Sequence, residues 1–176
     1  MGAPETARSS YFRREIVIEM QSNIVLRAAQ AADAWDLAGL RFASLVEMGL
    51  CTPPERERFL PRAASELFEL LSQDRMAAWI LIEDGVPAGC ACTLFWNRLP
   101  YPSSSLHAEI AGVYVVPPLR RQGYATELVR EAVANARARG VRKITLSPTE
   151  VGRSIYESLG FNNETHMAIR ELSSRA

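Results

Sequence analysis

A short stretch rich in arginine and glycine, Arg120-Arg-Gln-Gly-Tyr-Ala125, is the part of the sequence best suited to bind an anion. It lies between an apolar run and a stretch with helical periodicity, so Gly123 stands where a helix begins. The first amides of a helix have no partner within it, and the helix dipole favours phosphate there. Several amides with Arg120 or Arg121 would hold a diphosphate; the alternative is a solvated loop whose arginines face water.

Two common phosphate-binding patterns are missing from the sequence. It contains neither G-x-x-x-x-G-K-[S/T] nor G-x-G-x-x-G, which excludes a P-loop and a dinucleotide fingerprint. Twenty basic residues balance twenty acidic ones, so no long-range field gathers nucleic acid or an anionic membrane. We therefore expect a locally bound anion, with no nucleic acid and no membrane as partner.

A carboxylate and a histidine lie near the start of an apolar strand upstream of this corner. Buried carboxylates can act as general bases near neutral pH, which makes Glu109 a candidate base. The alternative is a carboxylate at the strand end that binds a cationic substrate or is simply solvated. His107 is a further candidate, two residues away on the same strand face.

The three cysteines, Cys51, Cys90 and Cys92, are expected to be reduced thiols, because an odd number leaves one unpaired. The two histidines show no ligand spacing near these cysteines, so no metal is expected. No apolar run approaches the ~20 residues needed to span a bilayer, and the N-terminal segment is too charged for a secretory signal. A cytoplasmic protein is the resulting expectation.

Hydrophobic periodicity predicts a single α/β domain at residues 23–176, with residues 1–22 as an N-terminal arm or an extra strand. The predicted order is β-α-α-β-β-β-α-β-α-β. Asp84-Gly85 predicts a tight hairpin turn between two of the strands. The predicted strands lie at 24–26, 77–82, 87–96, 108–116, 141–146 and 165–172. Apolar stripes that include Trp35 and Phe68 predict the first two helices.

Two motifs, in order, resemble the GNAT superfamily of acyl-CoA-dependent N-acyltransferases. The family pattern V-x-P-x-x-R-x-x-G-x-A stands as Val115-Val-Pro117-Pro-Leu-Arg120-Arg-Gln-Gly123-Tyr-Ala125. The downstream pattern Y-x-x-x-G-F stands as Tyr156-Glu-Ser-Leu-Gly160-Phe161. The likeness covers roughly residues 24–172. It implies a central mixed, mostly antiparallel sheet with helices on both faces.

The resemblance also implies a cosubstrate and roles for particular residues. The cosubstrate is acetyl-CoA, with its pantetheine arm along Val113 and Val115 and Tyr156 as the general acid that protonates the departing thiolate. Glu109 stands fourteen residues before Gly123, like the glutamate base in the histone-acetylating branch of the family. The residues implied to wrap the CoA diphosphate are Arg120, Arg121, Gln122, Gly123, Tyr124, Ala125 and Thr126.

The sequence departs from the family pattern in one place. Many members carry an asparagine seven residues before the tyrosine, and here that position is Thr149. The segment resembles instead members with a G-R-x-x-Y version, in which Arg153 either contacts the cofactor phosphates or lies at the helix surface. Gly152 lies one turn before Tyr156, where a missing side chain would leave room for the thiol end of the cofactor.

The leading hypothesis is therefore an N-acetyltransferase that acts on a primary amine of a small molecule or peptide. The alternatives are a non-catalytic acyl-CoA sensor module and a protein-interaction domain with an exposed apolar surface around Leu94-Phe-Trp96. The acceptor does not follow from the sequence. A homodimer through the last strand or the N-terminal arm would be common for such a fold.

Overall fold

The computed structural model describes residues 17–21, 23–100 and 105–164. The chain divides into two compact units, Met1–Leu146 and Ser147–Ala176. The strands are β1 (Val17–Gln21), β2 (Ile24–Ala28), β3 (Met76–Glu83), β4 (Val86–Asn97), β5 (Leu106–Val115) and β6 (Ile144–Leu146). The helices are α1 (Ala34–Glu47), α2 (Arg56–Ser72), α3 (Tyr124–Ala138) and α4 (Arg153–Ser158).

The described strands of the first unit form a six-stranded sheet in the order β1-β2-β3-β4-β5-β6. Neighbouring strands are antiparallel from β1 to β5, and only β5 and β6 pair in parallel. The β3–β4 hairpin turns at Asp84 (φ 49°) and Gly85 (φ 79°), the two positive φ angles that a tight hairpin turn requires. The predicted mixed, mostly antiparallel sheet is confirmed.

Helices cover both faces of this sheet, because side chains alternate between the faces along each strand. On one face, Leu37 and Leu40 of α1 pack in a buried cluster with Ala78, Ile80 and Cys90. On the other face, Ala136 of α3 packs in a second buried cluster with Phe95, Ala108 and Val141. The first face carries α1 and α2, and the second carries α3, as the predicted fold class requires.

The second unit, as far as it is described, holds the short helix α4 and the chain that follows it. Gly160, with φ 88°, ends the helix, and the Phe161 amide donates a hydrogen bond to the Tyr156 carbonyl at 3.0 Å. This closing turn is a common C-terminal cap, in which a glycine adopts the left-handed conformation. The predicted strand at 165–172 lies outside the described residues.

The predicted helical stripes were wrong at two aromatic positions. Trp35 of α1 and Phe68 of α2 are both about half exposed, 54% and 52%. Ala38 and Phe42 of the predicted α1 stripe are buried, and so is Leu37. A strand, β1, does fall within the predicted arm at 1–22, whereas the single domain at 23–176 stays a prediction.

Candidate functional site

The corner between β5 and α3 has the backbone that an anion site requires. After Val115 the chain makes a short helical turn at Pro117–Leu119, and Arg121 then adopts φ 65°. Gly123 follows with φ 90° as the N-cap residue of α3, and no side chain caps the helix there. The first amide that bonds within the helix is that of Glu127, which donates to the Gly123 carbonyl at 3.1 Å. The amides of residues 124–126 therefore have no partner inside the helix.

Gly123 is required at this corner for its backbone conformation. No atom lies within 4 Å of the position that a Cβ on Gly123 would take, so the space beside it is open. A left-handed φ disfavours any L-residue there. The following Tyr124 and Leu128 are buried, at 3% and 0% exposure, and anchor the first turn of α3 on the sheet. The corner thus combines an open outer surface with a fixed helix start.

The two arginines of the corner have different surroundings. The Arg120 guanidinium donates to both carboxylate oxygens of Glu47, at 2.6 and 2.7 Å, and to the Val115 carbonyl at 2.8 Å. Hydrogen bonds from Arg120 hold the pKa of Glu47 below its ordinary value. Arg121 is exposed and forms no ion pair with any residue of the described chain. Arg121 is therefore the guanidinium of the corner that is free to meet a phosphate.

Replacing Arg121 with glutamine is expected to weaken acetyl-CoA binding about fivefold, since an exposed charge pair contributes up to about 1 kcal/mol. Arg120→Gln is expected to lower the melting temperature, because it leaves Glu47 unpaired and removes the bond to Val115. Calorimetric titration with acetyl-CoA and thermal unfolding of both variants measure the two effects. A larger loss of affinity in Arg120→Gln than in Arg121→Gln would contradict this assignment.

Strand β5 presents an unpaired backbone edge next to the corner. Within the described residues, β6 pairs with β5 only over Ala108–Ile110. The Val116 amide bonds to the Ala88 carbonyl of β4, and backbone groups alternate along a strand, so those of Val113 and Val115 point to the opposite edge. An extended ligand can add to such an edge as a strand partner does.

The two candidate bases have different positions on β5. Glu109 is half-buried, opposite Leu94 of β4 and Thr145 of β6. His107 is 6% exposed, and its Nε2 lies 3.1 Å from the Thr145 hydroxyl. The His107 ring also packs at a tilt against Trp96, with the centroids 4.7 Å apart. The histidine is therefore a packed, hydrogen-bonded side chain, and Glu109 remains the more accessible base.

Tyr156 lies in the second unit, on α4, and burial raises the pKa of its phenol above the ordinary value. Its ring meets the edge of Phe161, with the centroids 6.1 Å apart. A Cβ on Gly152 would lie 3.3 Å from the Tyr156 ring and 3.2 Å from Thr149 Oγ1. A side chain at position 152 would therefore crowd the tyrosine, and the expectation that the space beside Gly152 holds the cofactor thiol stays a prediction.

The residues around this tyrosine bond mainly to one another. Thr149 Oγ1 accepts a hydrogen bond from the Gly152 amide at 3.2 Å. Arg153 donates to the Asn163 side chain at 3.1 Å and lies 4.0 Å from Glu150. Arg153 was expected either to contact the cofactor phosphates or to lie at the helix surface, and these contacts favour the second alternative.

The sequence patterns did not predict that Arg41 of α1 would lie against strand β5. Gly112 of β5 has φ 65°, and the position of its missing Cβ lies 4.0 Å from Cδ of Arg41 on α1. The Glu47–Arg120 ion pair was missed as well. A glycine inside a strand pattern signals a bulge or a close approach, so Gly112 indicated an irregular strand but not that Arg41 packs against it. Nothing in the local pattern signals Glu47.

Comparisons with known proteins agree with this architecture. A predicted acetyltransferase from Clostridium acetobutylicum, solved with acetyl-CoA, is 22% identical, with a TM-score of 0.75 over 85% of this chain and 96% of that one. A GCN5-related N-acetyltransferase from Ralstonia eutropha is 22% identical, with a TM-score of 0.72 over 84% and 98%. An aminoglycoside N-acetyltransferase in complex with CoA is 18% identical, with a TM-score of 0.66 over 89% and 99%. The fold is thus that of GNAT acetyltransferases.

The sequence profile of the acetyltransferase (GNAT) family matches residues 44–161, more than half of the chain. The protein therefore belongs to the GNAT acetyltransferase family. A search of curated proteins finds no significant match. None of the helices in the described part of the chain is long and apolar enough to cross a membrane.

Proposed function

We propose that this protein transfers an acetyl group from acetyl-CoA directly to a primary amine of a small molecule or peptide. The observation that carries the proposal is the helix start at Gly123, whose first-turn amides are free of intrahelical partners in a chain of the GNAT family. Family membership makes acetyl-CoA the cosubstrate. The acceptor and the catalytic residues belong to the proposal.

In this proposal the cofactor lies along the corner and the open edge of β5. Amides of residues 124–126 and the Arg121 guanidinium bind the diphosphate, where the positive end of the helix dipole adds to the attraction. The pantetheine amides pair with backbone groups of Val113 and Val115. The Val115 carbonyl already accepts one bond from Arg120, and a carbonyl oxygen has two lone pairs. Arg120 then orients this carbonyl toward the cofactor.

The reaction itself is an attack of the amine nitrogen on the thioester carbonyl carbon. A new C–N bond forms, the C–S bond breaks, and the electron pair of that bond leaves with sulfur. Glu109 accepts the proton that the amine loses, and Tyr156 donates its phenolic proton to the thiolate. The products are an N-acetyl amide and free CoA.

An acyl-enzyme intermediate on cysteine has little support in the described residues. Cys90 is 1% exposed, and its hydrogen bond to Cys92 and its burial raise its pKa well above the ordinary value. A nucleophilic thiol needs a base that removes its proton. His107, the only described histidine, lies against Thr145 and Trp96 instead. Direct transfer from acetyl-CoA to the amine is therefore the mechanism we propose.

The function is tested by mixing the purified protein with acetyl-CoA and a panel of amines and following free CoA thiol. The panel contains an aminoglycoside, a polyamine, amino acids, a peptide with a free N-terminus and a lysine peptide. We expect thiol release that depends on one class of amine. Calorimetric binding of acetyl-CoA without thiol release from any amine would support the sensor module instead. Failure to bind any CoA species would overturn both.

A further inference from the structure

Arg41 of α1 lies over the middle of β5, on the face of the sheet that α1 covers. Leu37 and Ser44, one turn before and one turn after it, are both buried. The Arg41 side chain passes 4.0 Å from the position of a Cβ on Gly112, whose φ of 65° interrupts the regular strand. The residue as a whole is nevertheless exposed. Arg41 therefore combines a side-chain contact with β5 and exposure to solvent, which leaves it accessible to a ligand.

Arg41 lacks the carboxylate partner that several other arginines of the chain have. Arg27 pairs with Asp33 at 2.7 Å, and Arg139 pairs with Asp74 at 2.8 Å. Among the residues that the structure describes, Arg41 forms neither an ion pair nor a hydrogen bond. The aliphatic stem of such an arginine packs against a strand, and its guanidinium has no acidic partner. It can therefore bind an anion at low entropic cost.

The positive charge of Arg41 reaches the side chains of β4. The pKa of Cys92 lies below its ordinary value because Cys90 donates a hydrogen bond to it and Arg41 lies nearby, which together outweigh burial. Cys92 stands opposite Ala111 on β5, one residue before Gly112. The positive charge of Arg41 therefore acts where the pairing of β5 with β4 shifts register, between Ala111 and Tyr114.

A negative group lies on the same face, a short distance along the strands. Cys92 pairs with Ala111, and the next pair on this face joins Leu94 to Glu109. Diagonal neighbours of this kind are ~7–8 Å apart in an antiparallel pair. Glu109 too forms no ion pair within the described chain. This face therefore presents one cation, beside Gly112, and one carboxylate three residues earlier on the same strand, each without an ion-pair partner among the described residues.

We propose that the acceptor carries a carboxylate a few bonds from its amine, and that Arg41 binds this carboxylate while the amine lies at Glu109. This rests on the proposed function, and it names the substrate class of that site. A guanidinium binds a carboxylate with two parallel hydrogen bonds, which orients the acceptor as well as attracting it. A single arginine on a face that also carries Glu109 suits a monoanion better than a phosphate dianion, which the carboxylate would repel more strongly.

The test compares matched acceptors with and without the anionic group, using the full chain, acetyl-CoA and free thiol as the readout. Each common amino acid is paired with the amine left when its carboxylate is removed, for example phenylalanine with phenethylamine. Phosphoethanolamine is compared with ethanolamine in the same way. We expect kcat/KM about tenfold higher for the carboxylate member of the preferred pair. A preference for the plain amines or for phosphoethanolamine would overturn the proposal.

Variants assign this preference to Arg41. Arg41→Gln is expected to raise KM for the carboxylate acceptor about tenfold and to remove the discrimination within the pair, whereas Arg41→Lys restores part of it. Arg58→Gln, at an exposed arginine of α2, is the matched control and should retain the full discrimination. If Arg41→Gln weakened both members of the pair equally, Arg41 would have no part in recognising the carboxylate.

Binding measurements separate this inference from the proposed function. Calorimetry with acetyl-CoA alone tests the cofactor corner, and calorimetry with amino acids in the presence of CoA tests Arg41. Acetyl-CoA binding with no amino-acid binding, or with turnover of plain amines only, would overturn the inference and leave the proposed function standing. Absence of acetyl-CoA binding would overturn the proposed function, and this acceptor site with it.

Discussion

Tyr156→Phe is expected to lower kcat about hundredfold while acetyl-CoA affinity is retained, because phenylalanine keeps the ring and removes only the proton donor. The ring contact with Phe161 at 6.1 Å does not depend on the hydroxyl. Turnover is measured by thiol release at saturating acetyl-CoA and acceptor, and affinity by calorimetry. An unchanged kcat would exclude Tyr156 as the general acid.

The pH dependence of turnover gives a second readout of this role. Burial raises the pKa of Tyr156 above its ordinary value of about 10. The protonated phenol, which is the acid the thiolate needs, therefore persists to higher pH than in an exposed tyrosine. We expect the midpoint of the alkaline decline of kcat to lie above pH ~10 in the native chain and the decline to be absent from Tyr156→Phe. A structural role alone would leave the pH profile unchanged.

Gly123→Glu is expected to weaken acetyl-CoA binding about hundredfold, because two effects act together at the helix start. A side chain at φ 90° strains the backbone that aims the amides. The new carboxylate also lies where the diphosphate should bind and repels it. Calorimetric titration of the variant measures the loss. We expect Gly123→Ala, which adds strain without charge, to lie between the native chain and Gly123→Glu.

Gly140→Glu is the matched control for this substitution. Gly140 has φ 79°, and no atom lies within 4 Å of the position of its missing Cβ, so the strain and the added charge are comparable. It follows the far end of α3, whose 15 residues extend ~22 Å at 1.5 Å per residue. This variant should lose stability and keep its affinity for acetyl-CoA. Equal affinity losses in both variants would mean that Gly123 acts through stability alone.

Local patterns in the sequence predicted much of this fold. Asp84-Gly85 predicted the β3–β4 hairpin because a tight turn needs positive φ at both of its central residues. The apolar run of β5 followed by Gly123 predicted a strand that meets a helix start. Each of these features depends on residues close together in the chain, so their types and spacing carry the information. The same patterns did not show that Trp35 is exposed, since a helical stripe does not reveal which of its edges the sheet covers.

By itself, the sequence predicted the family through two motifs that resemble it, and most of the order of the elements through periodicity and turn chemistry along consecutive residues. It also predicted the helix start at which we propose that the diphosphate binds. Only the tertiary structure decided which arginine of that corner is free. Arg120 is neutralised by Glu47, 73 residues earlier in the chain, and Arg121 is not. Tertiary packing likewise set Arg41 over Gly112. Such pairings depend on how a helix packs across a sheet, and no local spacing encodes that distance.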